Sequence, residues 1–162
     1  GRLQLGGAPL HGFLQLFDLV FLGEAEFLGH PHPFDMTDYY EDEMGPGLSR
    51  VIVSFRELGE APGLVGVKIS IDRLEQKLAG DRGRTVNIDP GYIDYFKAVL
   101  ASFKEGPQKI YLGAGVYADP VLMYEDHEWR TLPWSFPDFR EGLYMEEMKE
   151  IRRIYRERRR GV

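Results

Sequence analysis

The chain has 162 residues, enough for one domain with a real core, and its 43% hydrophobic content suits a globular protein. It contains no cysteine, which excludes disulfides, thiolate nucleophiles, zinc ribbons and iron–sulfur clusters. A net charge of -6 argues against a dedicated nucleic-acid binder. Residues 10–22 are rich in Leu and Phe but interrupted by Gln15 and Asp18, and the run is too short to span a bilayer. It lacks the basic start and small-residue cleavage pattern of a signal peptide, so it reads as a buried strand or helix of a soluble, cytoplasmic protein.

The prolines of His30-Pro-His-Pro33 impose extended backbone, and Gly45-Pro-Gly47 predicts a turn. Between them lie Asp35, Asp38, Glu41, Asp42 and Glu43, five acids in nine positions around Tyr39-Tyr40. Carboxylates this dense must be solvated, paired with distant cations, or holding a metal ion. Val51–Phe55 predicts a strand. The alternation of Val65, Val67, Ile69 and Ile71 predicts another, followed by a short helix over 73–79 capped by Asp72 and stopped by Gly80. Residues 85–88 read as a strand and Asp89-Pro90 as a helix start.

Residues 98–103 are assigned to a strand. Lys109–Leu112, Gly113-Ala-Gly115 and Val116–Ala118 predict a hairpin, continued through Tyr124 with an edge or bulge at Pro120. Asp126-His127 turns the chain into a strand over 129–132. Tyr144, Met148, Ile151 and Tyr155 form one stripe of a helix from about 141 to 158, with six arginines crowding its end. The economical reading of those arginines is complementarity to the helix dipole, with contact to an anion or RNA as the competing one. The expected fold is α+β in a single domain over 1–162: a mainly antiparallel sheet with the C-terminal amphipathic helix across one face.

Four segments carry a resemblance. Phe34–Gly45, Arg84-Thr-Val-Asn-Ile-Asp-Pro-Gly-Tyr92, Lys109–Ala118 and Leu132-Pro-Trp-Ser-Phe-Pro-Asp138 stand in order and spacing as in a prokaryotic family. That family is classed as a domain of unknown function, number four-four-one-six. The resemblance covers residues 33–160 and leaves 1–32 as an atypical N-terminal segment. It implies a single-domain soluble protein and brings no activity, cofactor or catalytic residue. Labels of GTP binding attached to some members find no P-loop in this chain. Phe136 and Phe139 stand where the family pattern leads one to expect tyrosine, so hydroxyls there are not essential.

The residue types define a candidate site. Asp38, Tyr40 and Glu43 come from the acidic block, Arg84, Asn87, Asp89 and Tyr92 from the second block, and Tyr117 and Trp134 from the last two. Asp38, Glu43 and Asp89 could ligate a divalent cation such as Mg²⁺ or Ca²⁺, and the rings could wall a sugar or ribose. Singly, each has a structural reading: Asp89 as a helix cap, Asn87 in a turn, the acids as a solvated face. His30 and His32 have metal-site spacing but no third ligand nearby, and Lys68, Arg84, Lys104 and Lys109 are the candidate counter-charges. No serine stands in a nucleophile motif, and Gly113-Ala-Gly115 lies in a hairpin and not before a helix, so it is no phosphate loop.

Three functions compete. A small-ligand or cation site built from acids and rings is the reading favoured. A carboxylate- or metal-dependent enzyme on a phosphorylated or polyol substrate, and a structural or protein-interaction domain, are the alternatives. A homodimer is compatible with the exposed strand edges, and no membrane partner is expected.

Overall fold

The computed structural model describes residues 23–34, 44, 47–81 and 83–161, with the backbone of Gln4–Leu5 (β1) and Ala8–Pro9 (β2), which pair antiparallel. Contacts divide the chain into two compact units, Gly1–Gly59 with Ile69–Ile88, and Glu60–Lys68 with Asp89–Val162. The expected element over residues 13–22 lies outside the described residues.

In the first unit, Ala25–Leu28 (β3) pairs antiparallel with Val53–Phe55 (β6), and His32–Pro33 (β4) with Ser49–Arg50 (β5). The backbone bonds Arg56 N–H to Glu24 O, Gly29 N–H to Ile52 O and Phe34 N–H to Leu48 O, each 2.8 Å, make these pairs two arms of one irregular hairpin. The predicted strand over 51–55 is therefore present from Val53.

The predicted strand over 65–71 is corrected. Leu64–Leu78 is a helix (α1), entered through a 3-10 turn, Ala61–Gly63, that carries Pro62 at its start. Val65, Val67, Ile69 and Ile71 do alternate, but the buried positions are Leu64, Lys68, Ile71, Leu74 and Glu75, which recur at helical spacing. Asp72 is accordingly mid-helix, and its carboxylate accepts from Gln76 Nε2 at 2.7 Å.

Two further expectations fail. Residues 85–88 form no strand, and Asp89-Pro90 opens no helix; the chain enters Gly91–Ile93 (β7) instead. Pro90 O accepts from Ala101 N–H at 2.8 Å, which extends the pairing of β7 with Lys97–Ser102 (β8). A Cβ on Gly91 would stand 2.3 Å from Val99 O, so only glycine permits this approach of the two strands. Strand pairing here overrides a cap signal that exists only in local sequence.

In the sheet of the second unit Val116–Glu125 (β10) is the central strand, and Glu128–Thr131 (β11) returns along it. The order is β11-β10-β8-β7, with Ile110–Gly113 (β9) also on β10. The β9–β10 turn has positive φ at Gly113, Ala114 and Gly115, and the β10–β11 turn at Asp126 and His127, as tight hairpins require. The predicted bulge at Pro120 is present as a register shift between Pro120 and Leu122. Val99, Val116, Val121 and Leu122 are almost fully buried.

A short helix, Pro137–Arg140 (α2), leads through turns at 141–144 into Met145–Arg160 (α3). Tyr144, Met148 and Ile151 of the predicted stripe are buried, as amphipathic spacing demands. The helix starts later than expected because Gly142, at φ 79, closes a turn first. The fold is thus α+β, dominated by antiparallel pairing and ending in an amphipathic helix.

Candidate functional site

The geometry around Trp134 follows from unequal strand lengths. β9 pairs with β10 at residues 116–118 and β11 at 122–125, both on the edge opposite β8. Among the described residues, therefore, no strand pairs with 119–121 on that edge. The 132–135 turn takes its place: Trp134 Nε1–H donates to Pro120 O at 2.8 Å, and the Ser135 hydroxyl to Val121 O at 2.5 Å. Ser135 Oγ also accepts Leu132 N–H at 2.8 Å, which locks the turn upon itself. Trp134 stays 45% exposed and Phe136 42%. The indole is held by its N–H while much of its ring faces solvent.

Tyr92 belongs to the same row of the sheet. It pairs with Val99, and Val99 pairs with Pro120, so Tyr92, Val99 and Pro120 lie side by side across three strands. At ~4.8 Å per strand, β7 stands roughly 10 Å from the β10 position that holds Trp134. Asp89, just before β7, lies with its Oδ1 3.8 Å from Lys68 Nζ, and the Lys68 ammonium is 5.4 Å from the Phe103 ring centroid. The Lys68 side chain is largely buried while that of Asp89 remains open to solvent.

Tyr117 lies three positions along β10 from Pro120, with the Tyr111 ring centroid 5.2 Å from its own. Nearby is a buried ion pair that sequence reading did not assemble. Lys109 Nζ is 3.2 Å from Asp119 Oδ2 and donates to Ser102 Oγ at 3.0 Å and to Lys104 O at 3.1 Å. Gln108 Nε2 donates to Asp119 Oδ1 at 3.2 Å. Three acceptors match the three protons of an ammonium, which leaves Lys109 nothing to offer a ligand; the network fastens the 103–109 loop to β10. An acid between Ala118 and Pro120, ahead of the apolar run Val121-Leu122-Met123, was the available signal. The pairing of Asp138 with Tyr144 was missed too. The buried Asp138 accepts from Tyr144 OH at 2.8 Å and from Phe139 N–H at 3.0 Å, tying α2 to the start of α3.

In the first unit, Arg84 and Asn87 meet directly. Arg84 Nη1 donates to Asn87 Oδ1 at 2.8 Å and lies 3.9 Å from Glu75 Oε2. Glu75 Oε1 accepts Ile88 N–H at 2.5 Å, and Thr85 Oγ1 donates to Leu78 O at 2.9 Å. These bonds lash the segment after α1 back onto that helix, so the pairing of Arg84 with Asn87 has a structural purpose.

Asp38, Tyr40 and Glu43 lie outside the described residues, as does the rest of the acidic block through Glu43. Among the described residues no group of three or more His, Asp or Glu is placed to hold a metal ion. No helix among them is long and apolar enough to cross a membrane.

The fold and this arrangement define an α+β protein with an exposed, anchored aromatic turn on its antiparallel sheet. The chain belongs to the family described as Domain of unknown function (DUF4416), whose model matches residues 19–155. The match begins inside the N-terminal stretch that the four signature segments leave out. No curated protein and no solved structure matches the chain.

Proposed function

We propose that this protein is a small-ligand-binding domain in which Trp134 is the principal contact, with the exposed Phe136 two residues further along the same segment; Tyr92 and Asp89 are kept as candidate contacts on sequence grounds. One observation carries the reading: a tryptophan 45% exposed yet fixed by a hydrogen bond from its ring nitrogen to the central strand. A ring held in place loses little conformational freedom when a ligand stacks on it, which favours binding. Its open face suits a planar base or the apolar face of a sugar. Asp38, Tyr40, Glu43 and Tyr117 belong to the same reading on sequence grounds. The cation-dependent variant rests on Asp38 and Glu43 with Asp89, and Asp89 already has the Lys68 ammonium at 3.8 Å to balance its charge. Cytoplasmic residence and the absence of a nucleic-acid partner complete the proposal.

The test is tryptophan fluorescence. The second tryptophan, Trp129, is buried, so quenching by an added ligand reports on Trp134. Nucleosides, sugar phosphates and polyols are titrated in turn. Stacking contributes about 1–3 kcal/mol, so Trp134→Ala should weaken binding about tenfold, with Trp134→Phe intermediate. Equal affinity in wild type and Trp134→Ala, by calorimetry, would sink the reading.

A further inference from the structure

We infer that the C-terminal end of α3 is a binding site for a small polyphosphate-type anion, distinct from the Trp134 surface and independent of the reading given above. Along α3, Lys149 and Arg153 are paired with carboxylates of the same helix. Lys149 pairs with Glu146 at 2.6 Å, and Arg153 bridges Glu150 and Glu157, each at 2.6 Å. The end of the helix is different. Residues 152–160 hold six arginines, one glutamate and no lysine, in a chain whose net charge is -6. Arg156, Arg159 and Arg160 make no side-chain hydrogen bond or ion pair among the described residues.

The helix dipole favours cations in the last turn, but its effect there is of the same order as the repulsion between like charges one turn apart. Arg156 and Arg160 are such a pair, so stacking guanidiniums at this end gains the helix little stability. Arginine used throughout, with no lysine, fits planar bidentate recognition of phosphoryl oxygens. A shallow cavity of about 110 Å³ lies there, lined by Arg153, Arg156, Glu157 and Arg160. Glu157 is already taken up by Arg153, so the lining presents net positive charge. The size suits one phosphoryl group, with neighbouring guanidiniums reaching a second.

The experiment is calorimetric titration of the full chain with sodium tripolyphosphate, at low salt and constant ionic strength. Sodium sulfate and a short single-stranded RNA are the comparison titrants. Wild type should bind tripolyphosphate saturably, more tightly than sulfate, and Arg156→Gln with Arg160→Gln should weaken it at least tenfold. The double variant should melt no lower than wild type in the absence of ligand, because it relieves repulsion. Lys77→Gln, on another helix, should leave the affinity unchanged. No saturable binding, equal binding by wild type and double variant, or binding of RNA with none of tripolyphosphate, would each overturn the assignment.

Discussion

Arg152 joins the C-terminal helix to the sheet through Tyr124: its guanidinium carbon lies 3.4 Å from the centroid of that ring. The same guanidinium donates from Nη2 at 2.9 Å and from Nε at 3.3 Å to the carbonyl of Tyr95. Tyr95 sits in the tight β7–β8 turn and packs edge-on against Tyr155 of α3, ring centroids 5.2 Å apart. One side chain thereby clamps a strand and a turn to the helix. Removing it forfeits a cation–π contact and two charge-assisted bonds, which together amount to about 1–3 kcal/mol. Arg152→Ala should lower stability by that amount in urea denaturation. Arg152→Lys should recover only part of the loss, since an ammonium cannot lie flat on the ring and fork to the carbonyl at once.

Gly91 offers a sharper test of the strand pairing that displaced the expected helix start. Any side chain there meets Val99 O, a backbone atom that cannot swing aside. Gly91→Ala should destabilise by about 2 kcal/mol or more through forced separation of β7 from β8. Amide exchange would show protection lost first at Ala101, whose N–H bonds Pro90 O. Unchanged exchange at Ala101 would contradict the close approach.

The hairpin over 109–118 and the C-terminal stripe were legible because each is written in local sequence: Gly113-Ala-Gly115 demands positive φ, and Tyr144, Met148 and Ile151 repeat at helical spacing. α1 was misread because β-branched residues at 65, 67, 69 and 71 imitate a strand, while a buried Lys68 and Glu75 disguise the helical period. Lys68 and Glu75 are buried because they meet Asp89 and the Ile88 and Arg84 groups, none of which is adjacent in sequence. Trp134 was legible as a candidate ring. That it is pinned depends on β9 stopping and β11 starting at different places along β10, a relation no single segment contains.

The Asp94–Lys97 pair gives a pH dependence. Burial works to raise the Asp94 pKa, but the bond from the Lys97 ammonium and the backbone N–H groups of Phe96 and Lys97 outweigh it and hold it below the usual value. Oδ1 accepts those N–H groups at 2.7 and 2.8 Å, closing the β7–β8 turn. A carboxyl with a depressed folded pKa adds stability above its unfolded pKa of about 3.9, and that stability disappears as pH falls through the folded value. Acid unfolding of wild type should therefore show a component below about pH 4 that Asp94→Asn lacks. Equal acid profiles for the two proteins would remove Asp94 from the turn's energetics. Lys97 is raised, chiefly by its bond to Asp94, so its share persists at neutral pH and fades only as pH climbs through the raised value.

The Lys109–Asp119 pair separates structural burial from ligand chemistry. Their side chains are only 12% and 7% exposed, so removing one partner strands the other in a site that water scarcely reaches. Asp119→Ala should cost about 3 kcal/mol, because the ammonium keeps its place but loses its counter-charge. Lys109→Met should cost less than Asp119→Lys, since the stem still packs while a second cation repels the first. The double variant Lys109→Met with Asp119→Leu should recover part of the stability lost by Asp119→Ala, as paired apolar replacement of buried charges often does. Ligand quenching at Trp134 should survive in that double variant, because Trp134 is fixed by the carbonyl of Pro120 and not by the Asp119 side chain. If the double variant folds but loses quenching, the ion pair serves the ligand and not the 103–109 loop.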